Sequence, residues 1–366
     1  MKKIGKLLAI ALVLVFAAGI LASCGGNNGP APPATPEPPT SPDSGQENSS
    51  DPVQGSSNDD DTKFTVGVVI SKWADPYHAS VMYAIRKYVQ EVVAPEHGDR
   101  FTFLYENSAG NVENQWTHVE NLINNGADAI IIFAVNSSDG ATLMDMSNNN
   151  GIPMIAVTRA LDNGYEFAAY SISDNIEAGE MCARAALEAL DGRDARVAVI
   201  LGRPANIATT DRTQGYRNVL DGVPNVEFVA EEYGEFDRSI GMNVVETWIQ
   251  AGIDFNVILS NNDEMAIGAS FALAAAGIED VLITGVDGTV DGIQAVKDGV
   301  TTATAMQNGI EQGQSAVRQT IYILLGQPWD SSVPQFANID FTLITSENVS
   351  EFENYWDEII AFQASN

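Results

Sequence analysis

Within Asn256–Asp291, two apolar runs, Val257–Leu259 and Val281–Val286, stop abruptly at polar residues: Asn262 and Asp263 follow the first, and Asp287 ends the second. Between them Glu264–Ala276 is Ala-rich, free of Pro and closed by Gly277, which predicts a helix with a C-terminal glycine stop. A strand–helix–strand unit leaves few options. Its crossover is right-handed, its strands are parallel, and both strands finish on one edge of a sheet. Open α/β sheets bind ligands at that edge, so Asn262 and Asp287 are expected to face a polar ligand. Asp263 is expected to cap the helix.

The same alternation runs through the chain. Strands are predicted at Phe64–Ile70, Phe101–Tyr105, Ala129–Val135, Ile152–Val157, Ala195–Leu201, Val226–Val229 and Thr301–Met306, with amphipathic helices between them. The pattern restarts near Ser171, with a helix over Asn175–Leu190, a loop containing Arg212, a helix from Asp237 through Trp248 and another over Gly309–Leu325. The fold class is therefore α/β, with two doubly wound parallel-sheet lobes.

Polar residues able to hydrogen-bond a hydroxylated ligand end seven strands: Asp75, Asn136 with Asp139, Arg159, Arg212, Asn262, Asp287 and Gln307. Each has an alternative role. Asp139 can cap the next helix, Asp287-Gly288 can be a simple turn, and Arg159 can pair with a surface acid. Trp73, Tyr77 and Phe236 lie in the same loops, where aromatic rings can cover the ligand or pack between lobes. His78, beside Tyr77, can reach the cleft. A sugar presents hydroxyls that donate and accept, plus apolar C–H faces. Asp, Arg, Asn and aromatic rings complement those features.

The N-terminus speaks to location. Lys2, Lys3 and Lys6 precede the apolar run Leu7–Ile20, which is short for a spanning helix and fits a secretory signal. Leu21-Ala22-Ser23-Cys24 resembles a bacterial lipobox, so residues 1–24 read as a lipoprotein signal with Cys24 as the lipidated residue. Residues 25–62, rich in Pro, Gly, Ser, Asn and Asp, read as a disordered tether. Cys182, the second cysteine, lies on an apolar helical face with Ala178, Ala185 and Ala186 and reads as a buried thiol.

Composition excludes several classes. The formal net charge is −31. Without the three leader lysines and the seven acids of residues 25–62, 15 basic and 42 acidic residues remain, a balance of −27. That argues against nucleic acid as a partner. The three histidines show no metal-binding pair, and there is neither a nucleophile elbow nor a Gly-rich phosphate loop after the first strand. No catalysis and no cofactor are expected.

The segments AVTRA, SISDN, TDRTQGY, EFDRSIGMNV, SNNDEMAIGA, ITGVDGTVDGIQAV and ATAMQ together resemble the type I periplasmic sugar-binding proteins that feed ABC importers, above all the ribose and galactose/glucose branch. The similarity runs over residues 64–345. It implies a pocket in which Asp75, Tyr77 and His78 belong to the first loop and Arg159 and Arg212 follow strands. Phe236 covers the ligand, and Asn262, Asp287 and Gln307 come from the second lobe and hinge. It further implies three interlobe crossings, near Ser171–Asp174, Gln307 and Phe341–Ile344. The N-terminal lobe would comprise 64–171 with 308–340, and the C-terminal lobe 172–307 with 341–366.

The implied protein is a monomer held to the outer face of the cell membrane by Cys24 alone. It would capture a monosaccharide between its lobes and pass it to ABC permease subunits. A sensory receptor of the same fold, or a binder of a furanosyl signal or nucleoside, are the alternatives. The pattern departs from the family at Thr158, where many members carry Asp, and at Ala134, where the galactose/glucose branch has Asn. The calcium loop of that branch is absent, so the resemblance selects no single sugar.

Overall fold

The computed structural model describes residues 62–159 and 167–365. Cys24 and the tether up to Asp61 lie outside the described residues. Short β-branched runs, buried on both faces in the central strands and partly exposed at the edges, make two six-stranded sheets. The first sheet takes β1 (Phe64–Ile70), β2 (Phe101–Asn107), β3 (Ala129–Ile132), β4 (Met154–Thr158), β5 (Ala169–Ile172) and β11 (Phe336–Asn338), in the order β11-β5-β4-β3-β1-β2. The second takes β6 (Ala195–Leu201), β7 (Val226–Tyr233), β8 (Val257–Ser260), β9 (Leu282–Asp287), β10 (Ala303–Gln307) and β12 (Phe341–Thr345), in the order β12-β10-β9-β8-β6-β7.

Helices cover both faces of each sheet, as parallel strands require. Around the first sheet run α1 (Pro76–Tyr88), the one-turn α2 (Ala94–His97), α3 (Val112–Asn124), α4 (Gly140–Asn150) and α10 (Gly309–Leu324). Around the second run α5 (Asn175–Leu190), α6 (Ile207–Leu220), α7 (Arg238–Gln250), α8 (Asp263–Ala276) and α9 (Val290–Lys297); α11 (Asp357–Ser365) follows β12. Both sheets place β1 or β6 beside strands met later in the chain, so the strand order reverses there. The loops after β1, β3, β4, β6, β8 and β9 consequently gather at one edge.

The chain passes between the sheets three times: from β5 to α5, from β10 to α10, and from β11 to β12. The last passage lies at Ile339-Asp340, because Phe341–Thr345 is already strand β12 of the second sheet. That strand runs antiparallel to β10, so the second sheet is parallel except at this edge. Away from the crossings the lobes also touch: the Ile207 N–H, opening α6, donates to Ser137 Oγ in the loop after β3 at 3.2 Å.

Several local expectations change. β3 stops at Ile132, three residues before Val135, and Asn136, still extended, precedes a single 3-10 turn over Ser137–Asp139. Asp139 precedes α4 without a side-chain capping bond. The cap of α8 is Asn262, whose side-chain oxygen accepts from the Met265 N–H at 3.0 Å. Asp263 instead points into the core, accepting from Thr289 N–H at 2.8 Å and Thr304 Oγ1 at 2.7 Å. Cys182 is fully buried, its thiol donating to the Gly285 carbonyl at 3.1 Å, and burial pushes it up to about 12. The thiol is expected to resist alkylation in the folded protein and to react only on denaturation; labelling within minutes under native conditions would refute the packing described.

Candidate functional site

A cavity of about 50 Å³ lies where the strand ends of the two sheets meet. The first sheet's side supplies Asp75, Tyr77, His78, Thr158 and Arg159, and the second supplies Asn175, Ala208, Arg212, Phe236, Asn262, Asp287 and Gln307. Nine residues expected from the sequence therefore line one space. Trp73 does not: it packs on the first lobe's core with the Arg86 guanidinium 4.9 Å from its ring centre. Asn136 and Asp139 also stay outside the lining, and their loop contributes the interlobe contact of Ser137 instead.

The first-lobe wall is built on the start of α1. Asp75 caps that helix, accepting from the His78 N–H at 3.1 Å, and Pro76 occupies its first position, where a missing N–H costs nothing. Tyr77 and His78 thereby project into the cavity from the first turn. The Tyr77 hydroxyl is bonded to Gln312 Oε1, and Gln312 Nε2 donates to Ser173 Oγ at 2.7 Å, so the ring is held against the hinge. His78 packs edge-on against Phe133, with ring centres 5.9 Å apart. Burial lowers its pKa, while the Asp75 carboxylate opposes that shift. Burial also pushes Asp75 up, but the His78 ring, the His78 N–H and the Arg159 and Lys72 charges outweigh it and hold Asp75 below the usual carboxylate range.

Arg212 centres the second-lobe wall. It stands within α6 and not in a loop, and a glycine contact brings it there. A Cβ at Gly215 would lie 2.2 Å from the Ile176 carbonyl oxygen, and one at Gly179 2.1 Å from the Arg212 carbonyl oxygen. Only two bare backbones let α5 and α6 cross so closely. Arg212 Nε then donates to Asn175 Oδ1 at 2.9 Å, and Nη1 to the Asn261 carbonyl at 2.6 Å and to Asp287 Oδ1 at 3.3 Å. Gln307 Nε2 donates to the same Asp287 oxygen at 3.2 Å. Asn262, with its oxygen used for capping, presents its amide N–H groups to the cavity. Phe236 reaches the lining because Gly202 has no side chain; a Cβ there would sit 2.0 Å from the ring.

Three lining residues other than glycine hold left-handed backbone: Thr158 at φ 74°, Phe236 at φ 56° and Asp287 at φ 118°. A β-branched residue at φ 74° is a genuine outlier, and such strain gathers where a fold serves a ligand. Two lining atoms, Thr158 Oγ1 and His78 Nδ1, are buried without a hydrogen bond. The Arg159 guanidinium, whose pKa burial lowers to about 10, has the Val135 carbonyl at 3.0 Å as a hydrogen-bond partner and, among the described residues, no carboxylate within salt-bridge distance. Buried polar groups left so carry a large desolvation cost unless a partner arrives. The cavity thus offers donors from Arg159, Asn262 and Gln307, acceptors from Asp75 and Asp287, and ring faces from Tyr77 and Phe236. That combination suits a small molecule dense in hydroxyls.

Burial raises Asp287 to about 8, with the Arg212 charge opposing and Asp263 and Asp75 adding to it. Because the folded protein holds this proton more tightly than the unfolded chain, its contribution is present at low pH and lost as pH rises from about 4 to about 8. Asp287→Asn cannot ionise. Its melting temperature relative to wild type is expected to climb across that interval and level off above it; a constant difference would refute the raised pKa.

Sequence reasoning missed Asn175 and Ala208 and treated Thr158 as a departure only. Asn175 is visible in the sequence merely as the first residue of a helix, and nothing local signals that Arg212 would be brought onto it. No candidate metal cluster and no helix long and apolar enough to cross a membrane occur among the described residues.

Comparison with known proteins agrees with this architecture. The sequence profile described as periplasmic binding protein domain matches residues 66–328. The ribose import binding protein of Bacillus subtilis (strain 168) is 31% identical over 265 residues, covering 72% of this chain and 83% of that protein. An ABC transporter solute-binding protein from Bacillus halodurans C-125, solved with bound myo-inositol, superposes with a TM-score of 0.73 at 29% identity, over 81% of this chain and 99% of that one. The binding component of the arabinose ABC transporter from Shewanella sp. ANA-3, bound to L-arabinofuranose, gives a TM-score of 0.72 at 26% identity, over 82% and 98%.

Proposed function

The chain belongs to the periplasmic binding protein family, whose sugar-binding members serve ABC transporters without catalysing a reaction, and we propose that it captures a monosaccharide or cyclic polyol between its lobes and delivers it to an ABC importer. One observation carries the ligand class: acceptors, donors and ring faces from both sheets converge on a single cavity, with Thr158 Oγ1, His78 Nδ1 and Arg159 still short of partners. In this reading Asp75, Tyr77, His78, Arg159, Arg212, Phe236, Asn262, Asp287 and Gln307 form the binding site, and rotation about the three crossings opens it. The lobes are 64–171 with 308–340 and 172–307 with 341–366. Lipidation at Cys24 and the 25–62 tether hold the protein as a monomer on the outer face of the membrane, within reach of the permease.

Thermal-shift measurement on protein stripped of bound ligand tests this reading. At least one pentose, hexose or cyclitol is expected to raise the melting temperature, since a ligand present at a hundred times its Kd adds about 2.7 kcal/mol. No shift across such a panel would overturn the ligand class. Growth on [3H]palmitate tests the anchor: label should appear in wild type and vanish in Cys24→Ala, and labelled Cys24→Ala would refute it.

A further inference from the structure

Asp287 sits in a strained turn whose support comes from the far end of the chain. Gly288 N–H donates to Thr304 Oγ1 at 3.2 Å and Thr289 N–H to Asp263 Oδ2 at 2.8 Å, but the Gly288 carbonyl takes its bond from the indole N–H of Trp356, at 2.9 Å. Trp356 is 4% exposed and belongs to a cluster drawn from both lobes: Tyr83 of α1, Ile293 and Val296 of α9, Met306 of β10 and Ile344 of β12. The turns that follow fasten to the first lobe. Glu358 of α11 bonds the Tyr83 hydroxyl and Lys87, and Phe362 meets Tyr83 edge-on at 5.3 Å. Before Trp356, Glu353 pairs with Lys297 of α9 at 2.8 Å.

The same helix α1 carries Tyr77 and His78 in its first turn and Tyr83 and Lys87 further along. One segment therefore touches, on one side, the helix that presents the first lobe's ligand residues and, on the other, the turn that presents Asp287. We propose that Val349–Ser365 is a strap belonging to the binding machinery, with Trp356 a positioning residue that fixes Asp287 for the ligand. A left-handed aspartate persists only where its surroundings over-determine it. The indole removes the freedom that the turn's outward carbonyl would otherwise have, and the α1 contacts tie that turn to the opposite wall of the cavity.

The inference deepens the ligand-capture reading and rests on it for affinity, but not for mobility. Hydrogen exchange of the ligand-free full chain is the first arm. Trp356→Phe keeps an apolar ring and removes the N–H; exchange in the peptide spanning 286–292 is expected to rise about tenfold, the loss of one hydrogen bond, while β8 stays unchanged. Glu358→Gln with Phe362→Ala, cutting the α1 contacts at an exposed and a half-buried position, is expected to raise it two- to threefold, roughly the worth of a surface ion pair and a ring contact. Unchanged exchange in both variants overturns the strap, whether or not any sugar binds.

The second arm is calorimetric titration with D-ribose and myo-inositol. Trp356→Phe should weaken binding of whichever binds wild type by about three- to tenfold. It should add nothing in an Asp287→Asn background, because a residue acting through Asp287 is not additive with it. Independent, additive losses overturn the positioning role. Where wild type binds neither, the titration uses the panel sugar or polyol that raises the melting temperature, and the exchange arm decides the strap by itself.

Discussion

Replacing Arg212 with Ala is expected to abolish ligand binding, weakening it by roughly a thousandfold. Its guanidinium is the hub of the second wall, bonded to Asn175, the Asn261 carbonyl and Asp287. Each charge-assisted hydrogen bond is worth about 1.5–3 kcal/mol. Loss of direct ligand contact and release of Asn175 and Asp287 therefore exceed the roughly 4 kcal/mol that a thousandfold requires. The variant should still fold, because Asp287, already raised to about 8 by burial, can keep its proton when its cation is gone. Fluorimetry should show a cooperative melt and no ligand-induced shift. A retained shift of wild-type size would move the binding site elsewhere.

The largest effect on stability is expected from Gly215→Ala. The added carbon would lie 2.2 Å from the Ile176 carbonyl oxygen, 2.8 Å from the Glu180 nitrogen and 2.9 Å from the Gly179 Cα. All three are backbone atoms, so no side chain can swing aside and the helices must separate. Overpacking usually costs 1–3 kcal/mol; here about 3 kcal/mol or more is expected, a fall in melting temperature of roughly 5–10 °C for a chain of this size. Since α6 carries Arg212 and α5 begins with Asn175, affinity should fall with stability. A small fall, under about 1 kcal/mol, would mean the crossing is looser than described.

Much of the architecture was legible in the sequence, for a physical reason. Parallel strands buried on both faces read as plain apolar runs, and the polar residue ending each run marks where the strand leaves the sheet. That is why Asp287 and Gln307 could be placed at one edge from their neighbours alone. Misreadings arose where the deciding contact is remote. Asn262 and Asp263 are both good capping residues; Asp263 lost the role because Thr289, at the start of α9, and Thr304, in β10, donate hydrogen bonds to its carboxylate. Arg212 looked like a loop residue because α6 is weakly amphipathic, and what seats it is the glycine crossing with α5. Trp73 shares a loop with Asp75 but faces Arg86, a residue 13 positions on. Trp356 gave no signal at all, since its partner is the carbonyl of a glycine 68 residues away.

The central claim is that the strand ends of both lobes hold one hydroxylated ligand between them. A crystal structure of the protein with the panel sugar or polyol that gives the greatest thermal shift tests it most directly. The account predicts ligand oxygens within hydrogen-bond reach, about 3 Å, of Arg159 from the first lobe and of Arg212 and Asp287 from the second, with the ligand between Tyr77 and Phe236. A ligand seated outside this cavity, or held by one lobe alone with Arg159 and Asp287 untouched, would contradict it.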